Sequence, residues 1–525
     1  MNNEYYTLQG DKLEAFYQFG LAEKNKKSSS KIIKEIVFKN KIFSYISEKI
    51  LGNTLQFPDF LKDEMYQYIE GKGLRHDEFI QNFYLPEVVS AINSISPNSV
   101  PNIGCSSGLV NDGKSIKHLR ILDYPLGPNS DEYSSNLLFN LEGLNKTFSF
   151  SFNDIPLPAL TSVNEYGISS ALHQKVSPNI NFKGSSIFEL TSRIALQTKS
   201  IDEAIVLAND FNSINRWSII LVSKEEKLGI EIETSPEEKP NIKKYDLSNK
   251  VFSYVCNKAL KNFDSDKKSF TGTWDFYNKK RENWLNELNE EEKVEHFFKL
   301  PKVLSKTPFS HYTITPASIQ SLEINLTENN VTKLSKSGVK YHDGQSQNFH
   351  IDWSKANSKV ENHLRKAKRK SSIEIFYESV SSCQFYWDQG DQNKAFHYAQ
   401  KCLEHAPSND LKSVANIFYS YFLFCELSNE KVLSRQYREL LTYLKKAPKF
   451  IQQDCLLLIN YYAFYLGFPT NDLDNLIPSH LQHFEKNTKI PKFLFKKVFK
   501  YLYVARFELF SFGKVNYLID AVASP

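Results

Sequence analysis

The segment Ser96-Pro97-Asn98-Ser99-Val100-Pro101-Asn102 sets two prolines among polar residues and splits the chain into two unlike patterns. Before it the pattern is helical. Lys31-Ile32-Ile33-Lys34-Glu35-Ile36-Val37-Phe38 and Phe57-Pro58-Asp59-Phe60-Leu61-Lys62-Asp63-Glu64-Met65 carry apolar residues at helical spacing. Leu85-Pro86-Glu87-Val88-Val89 predicts one more helix, entered at its proline. After the break the period shortens. Leu137–Leu141, Thr147–Phe152 and Ser218–Val222 read as strands, as do Tyr312–Thr315 and Ser321–Leu326. Ser186–Leu196 and Ile201–Ala208 read as helices between them. The expectation is a mostly helical segment 1–104 ahead of a mixed α and β core. The break also predicts irregular backbone at the Gly104–Cys105 bond.

That bond carries the most chemistry. Cys105 sits in Ile103-Gly104-Cys105-Ser106-Ser107-Gly108, and Arg120-Ile121-Leu122-Asp123-Tyr124-Pro125 follows shortly after. A small buried thiol is the plain reading of Cys105 alone, because free cysteine is among the most buried residue types. A thiol directly after glycine, with an arginine and an aspartate downstream, suggests a self-processing nucleophile instead. Cleavage at Gly104–Cys105 would free an α-amine that titrates near pH ~7.7–8.0 in model compounds. Such an amine can act as the base for its own side chain.

The stretch from Cys105 to Gly127 resembles the start of the mature chain in cysteine N-terminal nucleophile (Ntn) amidohydrolases. It is most similar to the acyl-coenzyme A:6-aminopenicillanate acyltransferase family, whose relatives include acid ceramidase and choloylglycine hydrolase. Arg120-Ile121-Leu122-Asp123-Tyr124 matches the family's Arg-x-x-Asp motif, with Ile121 where Asn is usual. Leu8 through Gly20 resembles its opening glycine-rich segment, with Ala15 at one glycine position. Asn164-Glu165-Tyr166-Gly167-Ile168, Ile201-Asp202-Glu203-Ala204-Ile205, Glu233-Thr234-Ser235-Pro236 and Tyr254-Val255-Cys256-Asn257 resemble later family segments in the same order. The resemblance covers about residues 1–355.

The resemblance implies an α+β fold, an Ntn-hydrolase αββα sandwich. It implies a helical pro-segment at 1–104, cleaved off at Gly104–Cys105, and a core at 105–356. Cys105 would be the nucleophile and its freed amine the base. Asp123 would orient that amine, Arg120 would favour the sulfur anion, and Asn257 would donate to the tetrahedral oxyanion. Family positions for a second donor or a substrate contact fall on His173, with Gln174 next, and on Asn164 and Arg281. An ordinary ion pair is the plain reading of Arg120 and Asp123, and a solvated helix that of Arg281. The expected substrate is a linear N-acyl amide, with water or an amine intercepting the acyl-enzyme. No metal or organic cofactor is expected.

Composition bounds the alternatives. A chain of 525 residues with 41% hydrophobic content is long enough for two or three domains. A net charge of +5, from 65 Lys and Arg against 60 Asp and Glu, implies no nucleic-acid partner. The six cysteines show no Cys-x-x-Cys spacing, so neither a disulfide framework nor a structural zinc site is expected. No apolar run reaches the length of a membrane span, and the first residues lack a signal-peptide pattern, which predicts a cytoplasmic chain. Arg365-Lys366-Ala367-Lys368-Arg369-Lys370 predicts a basic linker across 357–371. Beyond it, 372–525 reads as helical, and Gly390, Ala395, Ala399, Cys402 and Pro407 match the small-residue positions of a tetratricopeptide-like hairpin. Its expected role is docking to a protein partner. The main rival is a non-catalytic interaction protein built on a decayed Ntn core. A cysteine protease with a Cys–His pair is a third reading, though none of the 12 histidines lies in a matching local motif.

Overall fold

The computed structural model describes residues 5–26, 59–95, 104–123, 133–175, 179–181, 183–236, 238–258, 260, 278, 281–298, 313–314, 318–334, 346–363, 372–388, 391–426, 429–445 and single positions between 456 and 468. The helix expected at 31–38, the proline break and the basic run lie outside these residues.

Two sheets form the centre. The first has eight strands in the order β1-β4-β5-β6-β7-β8-β9-β10, and the second seven in the order β11-β2-β3-β12-β13-β14-β15. In the first sheet β1 is Tyr6–Gly10, β4 Ser134–Leu141, β5 Thr147–Phe152, β6 Thr161–Asn164, β7 Ile168–Gln174, β8 Trp217–Ser223, β9 Leu228–Thr234 and β10 Asn241–Asp246. In the second, β2 is Gly104–Asn111, β3 Ile116–Asp123, β11 Val251–Cys256, β12 Ser318–Asn325, β13 Asn330–Leu334, β14 Ser346–Asp352 and β15 Asn357–His363.

Strand alternation builds the layers. Successive side chains point to opposite faces, so Ile220 and Val222 of β8 join an inter-sheet cluster with Leu109, Leu322, Val331 and Phe349 of the second sheet. Ile219 and Leu221 face the other way, into a cluster with the helices. Those helices are α1 (Lys12–Glu23), α2 (Lys62–Lys72), α3 (His76–Phe83), α5 (Ile187–Gln197) and α6 (Ile201–Asn209), while α4 (Leu85–Ile95) follows α3 in the chain. The outer face of the second sheet presents Val110, Leu119, Ile121 and Phe252 to Leu285 and to Phe297 of α7 (Glu290–Phe297). The result is helix, sheet, sheet, helix. The helices α8 (Ser372–Asp388), α9 (Gln392–His405), α10 (Asn409–Glu426) and α11 (Glu430–Leu444) have an apolar cluster of their own, in which Ala395, Ala399 and Cys402 are buried.

Three expectations change. Segment 1–104 is not wholly helical: β1 adds a parallel edge strand on β4, with Tyr6 opposite Leu137 and Gly10 opposite Leu141. The second sheet runs past residue 356, because the β14–β15 pairing carries it to His363. Thr313 and Ile314 lie outside any strand, and the strand nearby begins at Ser318.

Buried polar contacts fasten the first hundred residues to the core. Glu23 of α1 accepts from the Tyr68 hydroxyl at 2.6 Å, Lys72 at 3.2 Å and the Ser135 hydroxyl of β4 at 2.6 Å. Burial alone would raise its pKa, yet Lys72, Ser135, Tyr68 and Lys26 together bring it below the ordinary value. Lys72 also pairs with Asp154, just beyond β5. Farther along, Glu87 of α4 accepts from the first amide of α5, Ile187, at 2.8 Å, and from Asn215 at 2.8 Å and Trp217 at 3.0 Å. A carboxylate at a helix N-terminus satisfies donors the helix itself leaves open. Replacing Lys72 with Met should lower the unfolding free energy by roughly 3–5 kcal/mol, since two buried carboxylates lose their shared cation. Urea titration of the folded protein measures it.

Candidate active site

The register of β2 decides which groups meet. Gly104 pairs with Asp123 and Cys105 with Leu122, and Ser106 to Asn111 continue the antiparallel ladder. The Gly104–Cys105 bond is therefore the first peptide of a paired strand, not irregular backbone. Alternation turns Cys105, Ser107, His118 and Arg120 toward the gap between the sheets, the side that also receives Leu109. Asp123, three residues after Arg120, faces the opposite side with Gly104. The Arg-x-x-Asp spacing so delivers one charge to each face of β3.

On its other side β2 pairs with β11, Ser106 opposite Cys256. The next residue, Asn257, comes level with Cys105. Its Oδ1 accepts from the Cys105 N–H at 2.7 Å, and its Nδ2 donates to the Gln174 carbonyl at 2.7 Å.

The wall across the gap is backbone. Strand β6 is four residues long and its ladder with β7 stops at Ala171. Beyond that point the β7 edge serves the site. The Leu172 carbonyl accepts from Arg120 Nη2 at 2.7 Å and lies 3.4 Å from Cys105 Sγ. The Gln174 N–H is within hydrogen-bonding reach of the same sulfur.

Cys105 is fully buried. Burial pushes its thiol pKa up; Arg120 and the Gln174 amide pull it down, and Asp123 adds to the rise. The net direction is upward, so the resting group is a thiol. Arg120 is also fully buried, and its Nε and Nη1 have no hydrogen-bond partner among the described residues. A buried cation left this way favours any anion that forms beside it.

On the opposite face Asp123 accepts from the Ser318 hydroxyl, and Arg281 Nη2 lies 3.8 Å from its second oxygen. Arg281 lies in helix, as do the residues to 286, and is fully buried, so it is no solvated surface charge. The Asp123–Arg281 pair is likewise no surface bridge, since both side chains are inaccessible.

Cys105, Arg120, Asp123, Asn257 and Arg281 thus gather around one strand end, and two other candidates do not join them. Asn164 accepts from the amides of Tyr166 and Ile168, each at 3.1 Å, and donates to the carbonyls of Ala195 at 3.3 Å and Thr198 at 3.0 Å. It builds the β6–β7 turn, where Gly167 has φ +72°, and docks that turn on the end of α5. All four bonds hold structure, at the far end of β7 from Leu172.

His173 points its ring at Ser107, with Nε2 2.8 Å from Ser107 Oγ. That hydroxyl lies 3.1 Å from His118 Nε2, and His118 Nδ1 lies 3.0 Å from Ser169 Oγ. The ring therefore does not serve the sulfur, and the neighbouring Gln174 amide does. Sequence reading missed Ser318, the Leu172 carbonyl and the Ser107–His118 pair. Ser318 reaches Asp123 only through an irregular register between Ser318 and Gln320.

No family model matches the chain, and no curated protein matches it. Among solved structures the chain is similar to the Caenorhabditis elegans N-acylethanolamine-hydrolyzing acid amidase ortholog. The two are 18% identical, the alignment covers 42% of this chain and 93% of that chain, and the TM-score is 0.32.

Burial, then the Arg120 charge, lowers the His118 pKa to about 3, and the same two causes carry His173 well below the ordinary value. The unfolded chain binds these protons near pH ~6.5. Between there and about 3 the unfolded state holds more protons, so stability falls as pH falls. One such group gives a slope of about 1.4 kcal/mol per pH unit. His118→Asn should flatten the acid limb of a stability profile taken by urea unfolding from neutral pH down to about 4. An unchanged slope would place acid sensitivity elsewhere.

Proposed function

We propose that this protein is a self-processing Ntn-type amidohydrolase or acyltransferase that acts on a linear N-acyl amide through an acyl-Cys105 intermediate. The observation that carries the reading is the double grip on Cys105: Asn257 holds its N–H at 2.7 Å while Arg120 and the Gln174 amide attend its sulfur.

Self-cleavage would run as an N-to-S shift. The Cys105 sulfur adds to the Gly104 carbonyl carbon as the thiol gives up its proton. The C–N bond breaks with a proton delivered to nitrogen, and a thioester joins Gly104 to Sγ. Water hydrolyses it and releases the Gly104 carboxylate and the thiol. That new carboxylate forms beside Asp123, its ladder partner. Like charges repel, which favours departure of the new terminus and opens the site.

In turnover the freed Cys105 amine takes the thiol proton and later protonates the leaving amine. Asp123, held by Ser318 and Arg281, orients that amine. Asn257 and the Gln174 amide supply donors for the oxyanion, and Arg120 supplies charge. Water gives hydrolysis and an amine gives acyl transfer. The segment from residue 372 onward, with α8 to α11 at its start, is assigned docking to a protein partner, so a chain ending near Ser371 is expected to process as the full chain does.

Wild-type protein should separate on a denaturing gel into pieces of 104 and 421 residues, the larger beginning Cys-Ser-Ser. The two pieces should co-elute under native conditions, because β1 and the Glu23, Lys72 and Glu87 contacts cross between them. Cys105→Ala should remain whole. Wild-type protein that stays whole after long incubation would sink self-activation. Asn257→Ala should cost about 10²–10³ in kcat, as loss of an oxyanion donor does. A panel of N-acyl amino acids, N-acyl amines and penicillins, with mass-spectrometric trapping of a Cys105 thioester, tests the substrate class. Turnover surviving in Cys105→Ala would move the chemistry to another group.

A further inference from the structure

We propose that Ser107, His118, His173 and Ser169 are positioning residues that fix the gap between the two sheets at Cys105. The kinetic part of this proposal rests on the nucleophile reading of Cys105. The geometric part does not.

Ser107 stands two residues beyond Cys105 on the same face of β2, one side-chain step along the strand. His173 stands between Leu172 and Gln174, the two residues whose backbone meets the sulfur. The Ser107–His173 contact at 2.8 Å therefore ties the strand of the thiol to the strand of its polar wall beside their meeting point. A second tie runs from His118 on β3 to Ser169, four residues back along β7, at 3.0 Å. Ser107 joins the two ties, since His118 reaches it at 3.1 Å.

The chain is ordered by proton count. A serine hydroxyl has one proton to give and two lone pairs, so Ser107 can donate to at most one of the two rings and accepts from any other that bonds it. At least one of the two rings must carry its proton on Nε2. All four side chains are fully buried. Around them the gap is filled by Leu109, Ala171, Val255 and Leu322. Hydrocarbon packing is non-directional, so it does not set the position of one sheet along the other as directed hydrogen bonds do. Small errors matter here, because a misplacement near 1 Å can cost about 10²-fold in rate.

The test uses the full-length protein. Ser107→Ala removes both bonds at the junction, and Ser107→Thr keeps the hydroxyl. Folding of each is checked by urea unfolding. Ser107→Ala should slow self-cleavage and lower kcat by roughly tenfold or more with KM within about twofold, the pattern of lost transition-state alignment. Ser107→Thr should recover most of that loss.

A second arm needs no turnover. Alkylation of Cys105 by iodoacetamide is followed by peptide mass against pH. Arg120 from β3, the Gln174 amide from β7 and Asn257 beyond β11 adjoin Cys105, Asp123 acts on it through space from the other face of β3, and the nearby His173 ring is turned to Ser107; none of these is substituted. Loosened contact with the Gln174 amide and Arg120 should raise the alkylation midpoint by about one pH unit in Ser107→Ala. If Ser107→Ala does not fold, Ser169→Ala replaces it and should shift both readouts less, in the same direction. Wild-type rates and midpoint in a folded Ser107→Ala, or loss without recovery in Ser107→Thr, would overturn the proposal. Wild-type protein that neither cleaves nor turns over would sink the amidase reading instead, and the alkylation arm would still decide this one.

Discussion

The side chain of Asn257 is the interaction on which the site depends. One amide spans the two sheets: Oδ1 takes the N–H of Cys105 in the second sheet, and Nδ2 gives to the Gln174 carbonyl in the first. An Asn side chain has an acceptor and a two-proton donor fixed in one plane, so both strands are held to one geometry. Asn257 reaches this place because β11 ends at Cys256, level with Ser106. The Gln174 carbonyl is open to it because β6 stops short along β7. Lengthening either strand would close the site with an ordinary ladder bond.

The described residues 5–26 and 59–95 belong to this architecture as fully as the rest. β1 is an edge strand of the first sheet, and α1, α2 and α3 cover that sheet's outer face. Gly20 and Gly71 let α1 and α2 touch backbone to backbone: a Cβ on Gly20 would stand 2.3 Å from the Tyr68 carbonyl oxygen. Buried carboxylates at Glu23 and Glu87 then tie the helices to β4 and to α5. The Glu23–Lys72 ion pair adds little net stability over apolar packing, yet removing one partner is costly, as is leaving the buried Glu87 without its neutral donors. Their effect is to make the docking specific, so a nicked chain would keep its shape.

Much of this was legible in the sequence, and the failures have physical causes. Cys105, Arg120, Asp123 and Asn257, named together in the sequence, lie together in the fold because β2, β3 and β11 are neighbours in one sheet. β5, β8, α5 and α6 follow patterns of apolar spacing that fall within one or two residues of the observed elements. The Gln174 amide and the Leu172 carbonyl were not readable, because every residue carries such groups. His173 was a near miss for the same reason that strands alternate: one residue along β7 exchanges the wall of the thiol for the inter-sheet gap. β1 escaped because five residues on a parallel edge leave little pattern. Ser318 escaped because a bulge moved it into register with Asp123. Arg281 was readable as a family position, but its burial against Asp123 depends on contacts far apart in sequence.

The charges around Cys105 explain why a buried thiol can still be a poised one. Taking a thiol out of water raises its pKa, because the anion loses hydration. The same burial leaves Arg120 as a cation whose Nε and Nη1 lack partners among the described residues. A Cys105 anion would lie beside that cation and the Gln174 amide, which offset part of the cost of burying the charge but not all of it. Asp123 opposes it through space, and Ser318 and Arg281 draw off part of that negative field on the far face of β3. The balance leaves a thiol at rest, with Arg120 and the Gln174 amide as the two groups that moderate the effect of burial on it.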